Sequence, residues 1–324
     1  MKTFTHLLQL APGVNPGKIA KLDANLALNL QATTLRVVPS LTDSGQVSIE
    51  VPNAKLVVAR LSDLFDQLAR AKKAMSKLEF IVGKDISGRI VTADLASLPH
   101  LMIAGQTGSG KSTMLHTILA NLLPKNSPEE LKVILIDPKQ VEFAPYEDIP
   151  QLQRPVITEP SDWNDALSWL LQESERRTQL LADSSSADID EYNTRSEERL
   201  PYILAMTDEF SDMMMQGGDE VERIIASIAV GAAKTGIHFV VSTSRPSVNV
   251  YTDTLKVSLG PRMIFTVASR VDSDNLLGES GAEKLNGRGD LLYRMSTEGR
   301  ADRIQAAYVS DDEIQRLTKI LRDD

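Results

Sequence analysis

Residues 104–116, AGQTGSGKSTMLH, follow directly on the apolar run HLMI. Gly105, Gly110, Lys111 and Ser112 fill the spacing GxxxxGK(S/T), the pattern of a loop that cradles phosphate. Glycines at 105, 108 and 110 let the chain from Gly105 through Gln106, Thr107, Gly108, Ser109 and Gly110 to Lys111, Ser112 and Thr113 wrap around the β- and γ-phosphates of a nucleotide with its N–H groups inward. The helix that follows adds the positive end of its dipole, Lys111 reaches the phosphates, and the Ser112 hydroxyl is a ligand for Mg2+. The bare spacing also arises by chance. A strand entering and a helix leaving make it specific, and both are legible here.

A second chemical pattern closes the segment YILAMTDEF, an apolar strand that ends in Asp208 and Glu209. Asp208 suits a role in holding Mg2+ through its water shell, and Glu209 a role in polarising the attacking water, since phosphoryl transfer rests on positioning and charge stabilisation. An Asp-Glu pair alone is weak, because acidic residues often simply end strands. Joined to the phosphate loop, it argues for hydrolysis rather than passive nucleotide binding.

These residues need a scaffold. HLMIAG, KVILID, YILAMTDEF and IHFVVSTS are short apolar runs separated by helical stretches such as DWNDALSWLLQESERRTQLL. That alternation predicts parallel strands buried on both faces, an α/β nucleotide-binding core over residues 76–324. Residues 1–75 read as a small N-terminal α+β domain: a single amphipathic helix in PGKIAKLDANLALNL, with Ile19, Leu22, Leu26 and Leu30 at helical spacing, then strands in TTLRVV and QVSIEVP around the turn PSLTDSG, then a helix in LSDLFDQLARAKK. The polar stretch ADSSSADIDEYNTRSEER reads as a solvated loop. No internal repeat is present.

Composition narrows the class. The 324 residues are 42% hydrophobic, enough for roughly two domains with a sizeable core. Cysteine is absent and the four histidines are scattered, which excludes disulfides and thiolate zinc sites and fits a cytoplasmic protein. No stretch reaches the ~18 uninterrupted apolar residues of a membrane helix, so no membrane contact is expected through this chain. The formal net charge of −9 argues against nucleic acid as a partner of the whole surface. Any duplex must then be met by basic residues concentrated on a small inner surface.

The chain as a whole resembles the soluble motor portion of the FtsK/SpoIIIE double-stranded DNA translocases. The resemblance runs from about residue 17 to 310 and is carried by an ordered set of segments: GKIAKL, VSIEVPN, VGKDISG, ADLASLPHLMIAGQTGSGKS, ILIDPKQVEFAPYEDIPQL, ESERR, YILAMTDEFSDMMM, GIHFVVSTSRPSVNV, SRVDSDNLLGESGAEKL and GRGDLLY. It implies a RecA-like P-loop ATPase core behind the small N-terminal domain, ATP and Mg2+ as cofactors, and a homo-hexameric ring with double-stranded DNA threaded through it. Lys111, Ser112, Asp208 and Glu209 keep the roles given above. Arg270 in SRVDSD matches a basic family position that contacts the phosphate backbone, with Lys256 and Arg262 of LKVSLGPRM as its neighbours. Backbone contacts suit a motor that must move over any sequence.

Departures from the family pattern bear on mechanism. Asp274 stands where the family has Arg, Ser244 where it has Gln, and the trans-acting arginine finger falls on Ala233, with Lys234 adjacent but rotated ~100° around the helix. Lys234, Arg245 and Arg262 are the candidate replacements. The family's membrane-spanning region and winged-helix module are not in this sequence, so an excised motor or a naturally short soluble relative is expected, the Met1 start favouring the second. The leading expectation is an ATP-driven duplex DNA translocase. A slow, regulatory ATP-binding ring and a related ATPase that moves protein are the alternatives.

Overall fold

The computed structural model describes residues 3–11, 14–32, 35–39, 46–52, 58–98, 100–245, 252–295 and 299–323. The first of them build a small three-stranded sheet. β1 (Thr3–Gln9) is followed by α1 (Pro16–Ala20), α2 (Asp23–Asn29), β2 (Arg36–Pro39) and β3 (Gln46–Pro52), with β3 central and antiparallel to both neighbours. Between β2 and β3 the turn expected at 39–45 lies largely outside the described residues. The single helix expected at 16–30 is instead two. The Asn15 side chain caps α1 by accepting from the Gly17 N–H, and the Leu22 N–H then bonds to the Ile19 carbonyl at 2.9 Å, a tight turn that ends one helix and starts the next. Its leucines are not a buried stripe: Leu22, Leu28 and Leu30 are 45%, 80% and 49% exposed.

The rest is one ten-stranded mixed sheet with helices on both faces. In chain order it comprises β4 (Ala59–Arg60), α3 (Leu61–Arg70), β5 (Glu79–Asp85), β6 (Ile90–Asp94), β7 (His100–Ala104), α4 (Lys111–Leu122), β8 (Leu131–Ile136), α5 (Pro160–Asp183), α6 (Ile189–Arg195), β9 (Tyr202–Thr207), α7 (Phe210–Thr235), β10 (Ile237–Thr243), α8 (Asp253–Ser258), β11 (Arg262–Phe265), α9 (Arg270–Leu277), β12 (Asp290–Arg294), β13 (Asp302–Tyr308) and α10 (Asp311–Asp323). The order β11-β7-β10-β9-β8 is parallel throughout, the expected core. β12, β13, β5 and β6 extend it antiparallel, and VGKDISG comprises the end of β5 and the turn at 86–88 that leads into β6.

Alternation along β7 shows how the sheet is buried. Leu101 and Ile103 join the core formed with α3, α4 and α10, while Met102 and Ala104 join the core formed with α5, α7, α8 and α9. Every residue of β7 and β10 is buried, which is why these strands read as unbroken apolar runs.

Two further sequence readings change here. Leu61, Leu64 and Leu68 of α3 belong to the core of the large sheet, and β4 pairs with β13, so residues 59–70 pack with the second unit although the sequence pattern groups them with the first. The polar stretch at 182–199 contains α6: the Asp188 side chain accepts from the Glu191 N–H, and the Asn193 amide bonds to both backbone groups of Leu200. The two units are tied by Arg303 of β13, which donates to Glu50 of β3 at 2.9 Å and to Asp290 of β12 at 2.7 Å, all three buried.

Candidate functional site

Ligands of open α/β sheets bind beyond the carboxyl ends of the parallel strands. Here four of those ends converge: Gly105 after β7, Asp137 after β8, Asp208 after β9 and Ser244 after β10. A cavity of about 830 Å3 opens over them, lined at this end by Thr107, Gly108, Gly110, Lys111, Ser112, Lys139, Glu142, Asp208, Glu209 and Ser244. Sequence reasoning brings Lys111, Ser112, Asp208 and Glu209 to one site, and the fold does the same.

Backbone geometry forms the loop. Gly105, Gly108 and Gly110 have φ of +152°, +76° and +121°. A β-carbon on Gly110 would come within 2.8 Å of the Gly289 nitrogen, and one on Gly105 within 2.7 Å of the Phe265 side chain. The loop is pinned from three sides: Gly105 N–H to the Thr243 carbonyl, Gln106 N–H to the Thr266 carbonyl, and Gly289 N–H to the Ser109 carbonyl. Gln106, Thr107 and Gly108 face solvent, whereas Ser109 is buried with its hydroxyl unpartnered. α4 starts at Lys111 without a side-chain cap or an acidic residue in its first turn, Thr113 lying within that turn. Its leading N–H groups are a site for an anion.

The charged side chains lie close together. Lys111 is buried and its ammonium folds back to the Gln106 carbonyl at 3.3 Å. Burial lowers its pKa against the opposing pull of Glu209 and Asp208. Ser112 Oγ donates to Glu142 Oε1 at 2.8 Å, and the other Glu142 oxygen lies 3.4 Å from His116 Nε2. Asp137 accepts from the N–H groups of Glu142 and Phe143 with one oxygen, its other oxygen being buried and unpartnered.

Asp208 and Glu209 are neighbours with opposite proton affinities. Burial raises the Asp208 carboxyl to about 6, helped by the negative charges of Glu142, Asp137 and Glu209. Glu209 is also buried, which alone would raise it, but hydrogen bonds from Ser211, the Ser244 hydroxyl and N–H, and Lys139 outweigh burial and bring it down to about 2. Ser112, Asp208, Glu142 and Asp137 are hard oxygen donors carrying an excess of negative charge, with an orphaned carboxylate oxygen among them. That set fits Mg2+. No group of three or more His, Cys, Asp or Glu side chains converges as a metal site among the described residues.

Sequence reasoning missed Asp137, Lys139, Glu142, Ser211 and Thr243. Their signal was position: IDPKQVE, TDEFS and VVSTS each run off a parallel strand beside the phosphate loop.

The basic residues expected to meet DNA do not converge. Arg262 is 7% exposed on β11, and its guanidinium is spent on the carbonyls of Leu276 at 2.7 Å and Lys256 at 2.9 Å. It is an internal brace, and it drops out both as a duplex contact and as a trans-acting cation. The Lys256 side chain pairs with Asp253 at 3.0 Å. Arg270, at the start of α9, has a side chain 74% exposed that lies 3.5 Å from Asp274 one turn on. Lys234 and Arg245 are exposed. The Ala233 side chain lies outside the described residues.

The fold and this site define a P-loop ATPase of the RecA-like α/β type. The FtsK/SpoIIIE family model matches residues 60–248, and the FtsK alpha domain matches residues 3–53. The chain belongs to the FtsK/SpoIIIE family. It is 41% identical over 317 residues to a DNA translocase FtsK of Caldanaerobacter subterraneus subsp. tengcongensis, covering 98% of this chain and 45% of that protein. To the DNA translocase SftA of Bacillus subtilis it is 42% identical over 316 residues, covering 96% of this chain and 33% of the relative. The chain therefore spans less than half the length of these relatives. Among solved structures, the pCW3 conjugation coupling protein TcpA, a monomer form with ATPγS, superimposes with a TM-score of 0.73 at 25% identity, over 99% of this chain and 90% of that one. No described helix is long and apolar enough to cross a membrane.

Proposed function

We propose that this chain is the motor unit of a protein that hydrolyses ATP to move along double-stranded DNA. One observation carries the reading: a glycine-built anion cradle, the cations Lys111 and Lys139, and the carboxylates of Asp208 and Glu209 share one cavity. The two translocase relatives give it its direction.

In this reading a water oxygen attacks the γ-phosphorus in line. The bond to the β–γ bridging oxygen breaks, and that oxygen leaves with its electron pair on ADP. The water proton passes through the phosphate and Glu209 to solvent. Lys111 and the N–H groups of Thr107, Gly108, Gly110, Ser112 and Thr113 hold the phosphates, those of Gly105, Gln106 and Ser109 being committed to carbonyls, and Glu209 orients the water. Ser112 and Asp208 would hold Mg2+, which would supply neutralisation of phosphate charge.

The functional division runs between an N-terminal unit built on β1–β3 and an ATPase unit that includes residues 59–70. Motion along DNA is assigned to a homo-hexameric ring in the cytoplasm, where ATP is supplied. Arg270 meets the duplex phosphates, and Lys234 or Arg245 supplies the trans-acting cation. Steady-state ATPase with and without duplex DNA tests the reading, together with displacement of a triplex-forming strand from a linear duplex. Strong stimulation and ATP-dependent displacement are expected. A low rate indifferent to DNA would instead make this a regulatory ATP-binding ring.

A further inference from the structure

The Glu209 carboxylate is crowded. Oε1 accepts from Ser211 Oγ at 2.6 Å, Thr243 Oγ1 at 3.0 Å and the Ser244 N–H at 3.0 Å, and Oε2 accepts from Lys139 Nζ at 3.1 Å and from Ser244 Oγ. A carboxylate offers about four lone-pair sites. Five donors occupy them, and the side chain is only 5% exposed. A water poised against a γ-phosphate has to donate to this carboxylate, and in this arrangement no acceptor position is left for it.

The five donors differ in what they can do. Ser211 sits two residues along the same turn and travels with Glu209. Thr243 also accepts from the Arg245 N–H, so its hydroxyl is shared. Lys139 is half exposed on the cavity wall, free to turn toward a phosphate. Ser244 alone engages both carboxylate oxygens, and it comes from a different strand, at the end of β10.

We propose that Ser244 is a positioning residue that parks Glu209 in a pose closed to water, so that release of the carboxylate from Ser244 limits turnover. The inference rests on the reading of Glu209 as the group that orients the attacking water. Loss of the hydroxyl leaves Lys139 as the one donor on Oε2 and opens an acceptor position on the cavity side.

The test is steady-state ATPase without DNA for Ser244→Ala, Ser244→Gly, Ser244→Thr, Glu209→Gln and the Ser244→Ala/Glu209→Gln double variant, beside equilibrium binding of a fluorescent ATP analogue. Ser244→Ala and Ser244→Gly are expected to raise kcat about tenfold, the scale of one charge-assisted hydrogen bond. KM and analogue affinity should stay within about twofold, because the change acts after binding. Ser244→Thr restores the low rate, and the double variant is as inactive as Glu209→Gln. A crystal structure of nucleotide-free Ser244→Ala should show a water on Oε2. Unchanged or lower kcat in both Ser244→Ala and Ser244→Gly, with Glu209→Gln inactive, overturns the parking role and leaves the role of Glu209 standing. Normal turnover in Glu209→Gln removes the underlying reading and this inference with it.

Discussion

Two stretches of this chain present cations suited to phosphate: the loop from Gly105 to Thr113 with its neighbours, and the segment from Thr252 to Leu277. In the first, Lys111 is buried among carboxylates at the meeting of four strand ends, and the backbone itself supplies further N–H donors. In the second, each cation is matched locally: Lys256 to Asp253, Arg270 to Asp274, Arg262 to two carbonyls. A site for a compact, highly charged ligand can be finished within one subunit. On the proposed reading a grip on a duplex repeats one weak, exposed contact around an assembly, and this segment offers a single exposed arginine, Arg270.

The largest expected effects lie at the first stretch. Lys111→Ala should abolish hydrolysis and most nucleotide affinity, whereas Glu209→Gln should bind ATP normally and turn over about 10²- to 10⁴-fold more slowly. Analogue binding and single-turnover hydrolysis separate the two. Equal loss of binding in both would mean that Glu209 serves the phosphates rather than the water.

Arg262 and Arg270 break the comparison from the other side. Arg262→Ala leaves two carbonyls without a charged donor and should cost about 3–6 kcal/mol in urea unfolding, at roughly 1.5–3 kcal/mol per charged hydrogen bond. Arg270→Ala should change stability by less than about 0.5 kcal/mol, being an exposed i,i+4 pair. It should weaken duplex binding on all sequences alike and lower the salt slope by about 1. Duplex affinity lost with folded Arg262→Ala but kept with Arg270→Ala would reverse the assignment.

The neighbouring carboxylates predict stability changes of opposite sign. Asp208 is raised from the ordinary 3.8 to about 6, so its folded form favours the proton; stability is intact below pH 4 and falls as pH rises through 6. Asp208→Asn should therefore stabilise the protein at pH 7.5 by up to about 3 kcal/mol without Mg2+, the gain shrinking between pH 6 and pH 4. Glu209 is lowered from 4.5 to about 2, so its contribution is present above pH 4.5 and is lost as pH falls through 2. Glu209→Gln should destabilise by up to about 3 kcal/mol at the same pH. Chemical unfolding of both variants across pH 4–8 checks the pair; changes of the same sign would refute the contrast.

The smallest effect is expected from Asp274→Arg. It removes the partner of Arg270 and adds a cation one turn away, so duplex affinity at low salt should rise several-fold with a salt slope steeper by about 1. Anisotropy at two salt concentrations measures it, and an unchanged slope would move the duplex contact off α9.

The phosphate loop and the Asp-Glu pair were legible because each is local. Glycines at 105, 108 and 110 permit backbone angles that other residues resist, and a strand end fixes Asp208 and Glu209 side by side. The parallel core was legible for a related reason, since strands buried on both faces must be apolar throughout. What those residues touch was decided elsewhere. Glu209 meets Ser244 and Lys139 only because β8, β9 and β10 lie side by side with their carboxyl ends together. The same packing raises one carboxyl of an adjacent pair, lowers the other, and turns Arg262 inward. Charge, burial and hydrogen bonding are sums over neighbours from all parts of the chain. A spacing pattern can name such a residue, but its proton affinity and its partners exist only once the strands have been laid side by side.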